Sequence, residues 1–470
     1  MANLKKLPKN KAAVTSLRLK KATAEVTVHP LVIQLQHTLN HYLSAGLLPE
    51  NAKLLLALSG GLDSTVLLHL LVAVQGYIPF ELRALHVHHG LSQNADVWAE
   101  FCVLQCQKLN IPLQVVKVHV NQASKSGVEA EARRQRYEAL FNYKVDNELS
   151  DFVVTAHHQD DQAETLLLQL FRGAGVKGLA SMAHIDCNKR LLRPLLGVSR
   201  AMLLEYAQAH HIDWCDDESN DNTQFERNFV RFKLMPILES RYESIKPTLA
   251  RTASHLAEAD EMLQALAKLD AEPLLLDNTL CLQGLCQLDF ARAKNVLRWW
   301  FSQHQLAMPN TEHLTEILAQ LLNAKKEAEL SIQLQHLWLK RYQQRAFLCA
   351  ETNADPFDLL WQGEGELPLP NGGTLHFAQV RGHGLAFKHG IQKLRITNRD
   401  GGERFKPNAL RPTRTLKHLL QEANMPPWQR VKIPLIYWND TLACVPNIGV
   451  AHEFQASEAE MGLQITWLDN

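Results

Sequence analysis

Residues 54–68 read LLLALSGGLDSTVLL. An apolar run stops at Ser59-Gly60-Gly61, an acid and two hydroxyls follow, and the apolar run resumes. LLLAL is short and continuous, which predicts a strand covered on both faces. Two glycines permit a tight turn, and Asp63, Ser64 or Thr65 can cap a helix continuing as TVLLHLL. A strand, a glycine turn and a helix N-terminus together present backbone N–H groups and the positive end of a helix dipole, a site for an anion such as phosphate. A bare Gly-Gly turn that binds nothing is the commoner case; the whole SGGLDS string is more specific. GxxxxGK[ST] is absent and no lysine lies in the loop, which argues against a kinase or GTPase.

The surrounding sequence repeats this pattern. LRALHVHHG and LQVVKVHV read as strands, WAEFCVLQCQKLN and GVEAEARRQRYEALFNYKV as helices, and DFVVTAHH as a strand before the helix DQAETLLLQLF. Alternation of this kind predicts an α/β, Rossmann-like parallel sheet with helices on both faces. Ligands of such sheets sit beyond the carboxyl ends of the strands, where SGGLDS, HVHHG and AHHQDD all fall. From about Ile245 the periodicity is helical through TLARTASHLAEADEMLQALAKL, DFARAKNVLRWWFSQHQ and TEHLTEILAQLLNAKK, until the strand-like ELSIQLQHLWLKRY. From about Asp358 the text is turn-dense and strand-like, as in GEGELPLPNGG and TLACVPNIGV. The expected layout is a basic arm over 1–28, an α/β domain over 29–240, a mostly helical domain over 245–350 and a β-rich domain over 358–470.

The chain has 470 residues, too many for one ordinary core, and is 46% hydrophobic and 21% charged, as in globular proteins. No apolar stretch is long enough for a membrane span. The opening MANLKKLPKNKAAVTSLRLKK is basic without an acid and lacks the apolar centre of a secretory signal; it reads as a disordered arm able to touch nucleic acid rather than a transit peptide. None of the eight cysteines forms a CxxC pair, which fits a reducing cytoplasm and neither zinc nor a disulfide framework. Cys102 and Cys106, one helical turn apart, read as buried apolar positions. Formal net charge is zero, so global charge is neutral on a nucleic-acid partner.

Three further strings carry candidate chemistry. AHHQDDQAET sets His157, Asp160, Asp161 and Glu164 at a strand end and in the first turn of a helix. Helix-dipole preference alone explains an acid or two, less easily two histidines beside them. EAEARRQRY alternates Arg133 and Arg136 with Glu129 and Glu131, a pattern that ordinary exposed ion pairs also give. CDDESNDNTQFERNFVR is too polar for a core, and Arg227 and Arg231 fall one turn apart if ERNFVR is helical.

SGGLDS resembles the pyrophosphate-binding loop of the PP-loop ATP pyrophosphatase superfamily. SGGLDS, HVHHGLS, EAEARRQRY, AHHQDDQAET, FRGAGVKGL, RPLL and DDESNDNTQFERNFVR, in this order, resemble the signature of the bacterial tRNA(Ile)-lysidine synthetase family. The likeness continues in RDGGERFKP, RTLKHLLQEANMPPWQR and PLIYWNDTLACV, and covers most of the chain from about His29. Two features depart from it: the basic arm lies outside the family pattern, and His88 stands where the family often has Asn.

The resemblance implies an enzyme that uses ATP and magnesium to adenylate the C2 oxygen of the wobble cytidine of a tRNA(Ile) with a CAU anticodon. Free lysine then displaces AMP to give lysidine, and decoding changes from AUG to AUA. By match to the family motifs, Ser59, Gly60, Gly61, Leu62, Asp63 and Ser64 hold ATP, and Asp63 positions magnesium. Asp161 holds the lysine ammonium, which must lose a proton from a group of pKa about 10.4 before it attacks. Arg136 and His157 join Asp63 and Asp161 as catalytic residues, and Arg227 and Arg231 contact phosphate or the target nucleotide. Between Arg395 and Lys432 nine Lys or Arg face three Asp or Glu. Arg404, Arg411, Arg414 and Lys417, with Phe405 and Trp428 among them, therefore read as a tRNA-body surface. The location implied is cytoplasmic, with no membrane partner and a homodimer as an admissible assembly.

Two rivals are a PP-loop tRNA thiolase and a catalytically inactive RNA-binding homologue. Thiolases of that group commonly use catalytic cysteines or an iron–sulfur cluster; here there is no CxxC, although Cys215 closely precedes DDESN. Intact SGGLDS and AHHQDD strings argue against decay.

Overall fold

The computed structural model describes residues 28–121, 127–145, 147–216, 225–323, 330–351, 355–386, 393–407, 409 and 412–468. The basic arm and Arg411 lie outside the described residues. The chain divides into two compact units, the first ending at Glu261 and the second beginning at Met262.

The first unit is built on the opening motif. Helix α1 (Pro30–Ser44) precedes β1 (Lys53–Ala57), and α2 (Leu62–Gln75) leads to β2 (Glu81–His88), α3 (Ala95–Lys108), β3 (Leu113–Lys117) and α4 (Val128–Asn142). A small hairpin of β4 (Lys144–Val145) and β5 (Glu148–Leu149) comes before β6 (Phe152–Val154) and α5 (Gln159–Phe171). Then come α6 (Val176–Leu179), β7 (Ile185–Asp186), β8 (Leu191–Leu192) and α7 (Arg200–Ala209). The sheet order is β3-β2-β1-β6-β8-β7, parallel except for β7. Leu54, Leu55 and Leu56 pair with Phe152, Val153 and Val154, so β1 and β6 are the central neighbours. The chain reverses its winding between them, and their outgoing loops diverge to leave a crevice.

Burial explains the unbroken leucine run. Leu54 and Leu56 enter one core with α1, α2 and α7, while Leu55 enters a second core with Leu85, Leu140, Val153 and Leu191 on the other face. Cys102 and Cys106 are buried in the first core. A helical run follows: α8 (Glu226–Phe229), a π turn over Val230–Leu234 and α9 (Met235–Arg241), before α10 (Ile245–Ala271). Pro236 has no N–H for the Phe232 carbonyl and its ring crowds that carbonyl, a physical reason for the widened turn.

In the second unit, helices Phe290–Gln303 and Thr311–Asn323 bury Trp300 and Phe301 against a five-stranded antiparallel sheet that includes Leu337–Tyr342 and Arg345–Cys349. The short strands Leu275–Leu276 and Thr279–Cys281 of that sheet gave no sequence signal. Further on, a five-stranded sheet from Asp358–Trp361 to Gly449–Val450 and a four-stranded sheet around Thr374–Arg381 and Met461–Leu468 share one core. RTLKHLLQEANMPPWQR supplies two short helices here, Leu416–Glu422 and Pro427–Lys432. Among the described residues no helix is long and apolar enough to cross a membrane.

Candidate active site at the sheet switch point

The loop between β1 and α2 corrects one expectation. None of Asp63, Ser64 and Thr65 caps α2; the N-cap is Gly61, without a side-chain cap bond. The hydroxyls of Ser64 and Thr65 instead donate back to the Gly61 carbonyl at 3.1 and 3.0 Å. Ser64 Oγ also accepts from Ser59 N at 3.2 Å. The loop is thus pinned from inside, and no side chain competes with an incoming anion for the first amides of the helix. Gly60 has φ +90°, and a Cβ there would stand 3.1 Å from Cys102 Sγ. Its carbonyl accepts from Cys215 N at 2.9 Å, so the segment before the polar loop braces it. Leu62 is buried, which leaves its backbone as the part able to meet a ligand.

Across the crevice, AHHQDD forms the start of α5. Asp161 closes a capping box with His158, accepting from His158 N at 3.0 Å. His158 is 2% exposed, with Nε2 3.5 Å from both Asp63 Oδ2 and Asp161 Oδ2, and so ties the two motifs together. Burial opposes charge on His158, but Asp63, Asp161 and Asp160 outweigh it and raise its pKa. Its neighbour behaves oppositely. His157 is held well below the usual value by burial, against the attraction of Asp161 and with help from Arg193, Arg227 and Arg133; its Nδ1 meets Thr155 Oγ1 at 2.8 Å.

Asp161 and Glu164 face Arg227 and Arg231. Arg227 donates to Asp161 Oδ1 at 3.0 Å and to Glu164 at 2.9 Å; Arg231 donates to Asp161 Oδ1 at 3.2 Å and to Glu164 at 2.6 and 2.9 Å. Two carboxylates and two guanidiniums therefore neutralise one another in a largely buried square, where loss of one member leaves an unpaired charge. Burial works against ionisation of Asp161, but His158, Arg227 and His157 hold its pKa below the ordinary value. Asp160 turns away from this square. It accepts from Arg200 N at 3.1 Å and pairs with Lys246 at 2.9 Å, fastening α5 to α7 and α10.

The structure brings Asp63, Asp161, Arg227 and Arg231 into one connected network. His157 stands at its edge, and Arg136 lies on α4 close enough to His89 to help burial push that imidazole down to about 4. On the same helix Arg134 pairs with Glu131 and Glu138, the ordinary ion-pair pattern. Sequence reading missed His158 as the link; its place beside His157 in AHHQDD was the available signal. Lys246 and Arg200 gave none, because both are remote in sequence from every motif.

A magnesium site can be tested against these side chains. Asp63 Oδ1 is shut off from solvent and accepts no hydrogen bond among the described residues; the Arg200 guanidinium stands 3.9 Å away, beyond hydrogen-bond reach, and leaves this oxygen able to meet a cation. No group of three or more potential ligands occurs among the described residues. One carboxylate completed by phosphate oxygens and water is the usual magnesium arrangement, so Asp63 fits.

In the second unit, Arg404 and Arg414 lie on adjacent strands of a two-stranded ribbon, Arg404–Phe405 with Arg414–Thr415, and exposed Lys417 begins the next helix. Arg414 is paired with Glu422. The aromatic residues expected among them do not join this surface. Phe405 is buried in the core, and Trp428 packs edge-on against Phe347, with Lys340 over its ring.

A parallel sheet with a glycine loop and an acid–arginine cluster at its switch point defines an ATP-using α/β enzyme, and residues 29–238 match the family model described as PP-loop domain. Residues 280–347 match the TilS substrate binding domain and 394–467 the TilS substrate C-terminal domain. The tRNA(Ile)-lysidine synthase of Nitrosomonas europaea is 40% identical over 91% of this chain and 94% of its own. Those of Azoarcus sp. and Serratia proteamaculans are 36% and 38% identical over 93% and 91% of this chain and 96% and 99% of theirs. The chain belongs to the tRNA(Ile)-lysidine synthase family.

Proposed function

We propose that this chain ligates free lysine to C2 of the wobble cytidine of tRNA(Ile) at the crevice between β1 and β6. The observation that carries the reading is the meeting of the pyrophosphate loop with the Asp161–Glu164–Arg227–Arg231 square through His158. ATP lies with its β,γ-phosphates on the Ser59–Ser64 loop, over the positive end of α2, where the loop's own hydroxyls take the Ser59 and Gly61 amides and leave those at the helix start to the phosphates. Asp63 would hold magnesium, whose charge would offset that developing on the departing pyrophosphate. His157, kept neutral by burial, and Arg136 orient the base and stabilise the adenylate. The anticodon loop is single-stranded, so its cytidine turns into the site at small cost.

Asp161 is already satisfied by two guanidiniums, which sharpens its role. A lysine ammonium enters by taking the place of the Arg227 guanidinium on Oδ1, and the displaced guanidinium turns to a phosphate or to the target nucleotide. Arg231, with its bidentate hold on Glu164, keeps the square closed meanwhile. A thiolase is disfavoured because burial pushes the Cys215 thiol up, opposite to what a sulfur nucleophile needs. The enzyme works in the cytoplasm on a CAU-anticodon tRNA(Ile), and a homodimer is an admissible assembly. The test is mass analysis of the wobble nucleotide after incubation with ATP, lysine and tRNA. A lysine-dependent adduct on cytidine with pyrophosphate release is expected, and a sulfur-containing or unmodified product overturns the reading.

A further inference from the structure

The helical run Glu226–Arg241 buries Val230 and Met235 against Ala163 and Leu167 of α5, yet it leaves large aromatic side chains in water. Arg227 and Arg231 turn inward onto Asp161 and Glu164. Phe225, Phe229 and Phe232, spaced four and three apart, share the opposite face, and all three are exposed, Phe229 to 51%. The ion pair of Arg172 with Glu226, at 2.7 Å, fastens the end of α5 to the start of this run. Phe171, next to Arg172 in the chain, is 61% exposed. Exposed cations lie on the same run and at its start: Lys233, Arg241 over the ring of exposed Tyr242 at 5.7 Å, and Arg172, which is paired with Glu226. A group of large aromatic side chains left in water marks an interaction site rather than chance exposure.

We propose that the Phe225–Phe229–Phe232 face stacks on the unpaired bases that flank the target cytidine in the anticodon loop. The proposal rests on the ligation reading above. Continuity with the catalytic square favours RNA over a second copy of the chain. The same helix carries the arginines on one side and the phenylalanines on the other, and a helix is only about 10 Å across. A base held at the arginines therefore has its chain neighbours within reach of the aromatic face. Bases offer π-faces to the rings and phosphates to Arg172, Lys233 and Arg241, which a purely apolar protein contact does not need.

The test uses the full chain and an anticodon stem-loop carrying 2-aminopurine beside the target cytidine, without ATP or lysine. Phe229→Ala is expected to weaken binding roughly ten-fold and to abolish the stacking quench. It leaves the salt dependence, ATP binding and elution volume unchanged. Phe229→Trp is expected to restore the quench, and Phe229→Leu, which keeps apolar volume without a ring, to behave as the alanine variant. Unchanged affinity and quench overturn the proposal. So does wild-type binding by Phe229→Leu, or a loss that accompanies dissociation of a dimer, which assigns the face to a second copy. If the wild type shows the quench but forms no lysidine, the ligation reading fails while the stacking face stands.

Discussion

Asp63 is the residue on which the loop's chemistry turns, because one of its oxygens meets His158 and the other is buried without a hydrogen bond. Asp63→Ala is expected to abolish pyrophosphate release in a protein whose circular dichroism and ATP-independent RNA binding are unchanged. Near-normal turnover would take the carboxylate out of the reaction. Asp161→Asn separates two roles. An amide cannot neutralise an ammonium, so the lysine KM should rise roughly ten-fold or more while adenylation continues. Failure of adenylation at unchanged lysine binding would make Asp161 a positioning residue for the arginines. The adjacent histidines make a pH test. His157 has its folded pKa depressed, so below about 6.5 the unfolded chain takes a proton that the folded one refuses. Stability is therefore lost as pH falls through that window. His158 has its pKa raised, so its contribution is present at low pH and lost as pH rises through the folded value. His157→Gln should flatten the fall of Tm between about pH 6.5 and 5, and a curve parallel to wild type would mean that His157 titrates normally.

At the scale of the element, the pyrophosphate loop depends on a backbone that only glycine adopts freely. Gly60→Ala imposes φ +90° on a residue with a Cβ and sets that Cβ 3.1 Å from Cys102 Sγ. The strain is on the order of 1–3 kcal/mol, and small displacements of a phosphate cradle are costly. The expected outcome is an ATP KM raised roughly ten-fold with little change in the tRNA KM; equal changes in both would show that the fold as a whole had loosened. The strand–loop–helix unit was legible because an unbroken leucine run, two glycines and a resumed apolar run each have one local cause. The helix cap was misread for a reason equally local. Asp, Ser and Thr favour N-caps, but here Gly61 takes the cap and the hydroxyls bond back to its carbonyl. The reciprocal square was half legible. One-turn spacings of Asp161 with Glu164 and of Arg227 with Arg231 put each pair on one face, but no local rule sets two helices 63 residues apart against each other. Phe405 and Trp428 were misread because composition does not tell a buried ring from an exposed one.

At the scale of the whole molecule, we propose that affinity for the tRNA body comes from the ribbon bearing Arg404 and Arg414 and from Lys417, remote in sequence from every ATP motif. Cutting the chain near Asp358 is a poor test of this. Arg430 is buried and donates to the Tyr342 hydroxyl at 2.8 Å and to the Met425 carbonyl at 2.7 Å. Trp428 packs on Tyr342 and Phe347. Truncation would strip both from the Leu337–Cys349 hairpin and uncover the half-buried rings of Tyr342 and Phe347. Charge removal keeps the core intact, since Arg404, Arg414 and Lys417 lie outside it. Removing one phosphate-binding cation lowers the log–log salt slope of binding by roughly one and weakens affinity across all RNA sequences. Arg404→Ala and Lys417→Ala should each do so for full-length tRNA. Arg414→Ala should cost less, because Glu422 already offsets that guanidinium. A minimal anticodon stem-loop, which lacks the tRNA body, should bind all three variants as it binds wild type. Lysidine formation on the stem-loop should likewise be unchanged if the ribbon contributes affinity alone. If the stem-loop and the full-length tRNA lose affinity equally, the ribbon acts through the active site, and its assignment as an affinity surface is wrong.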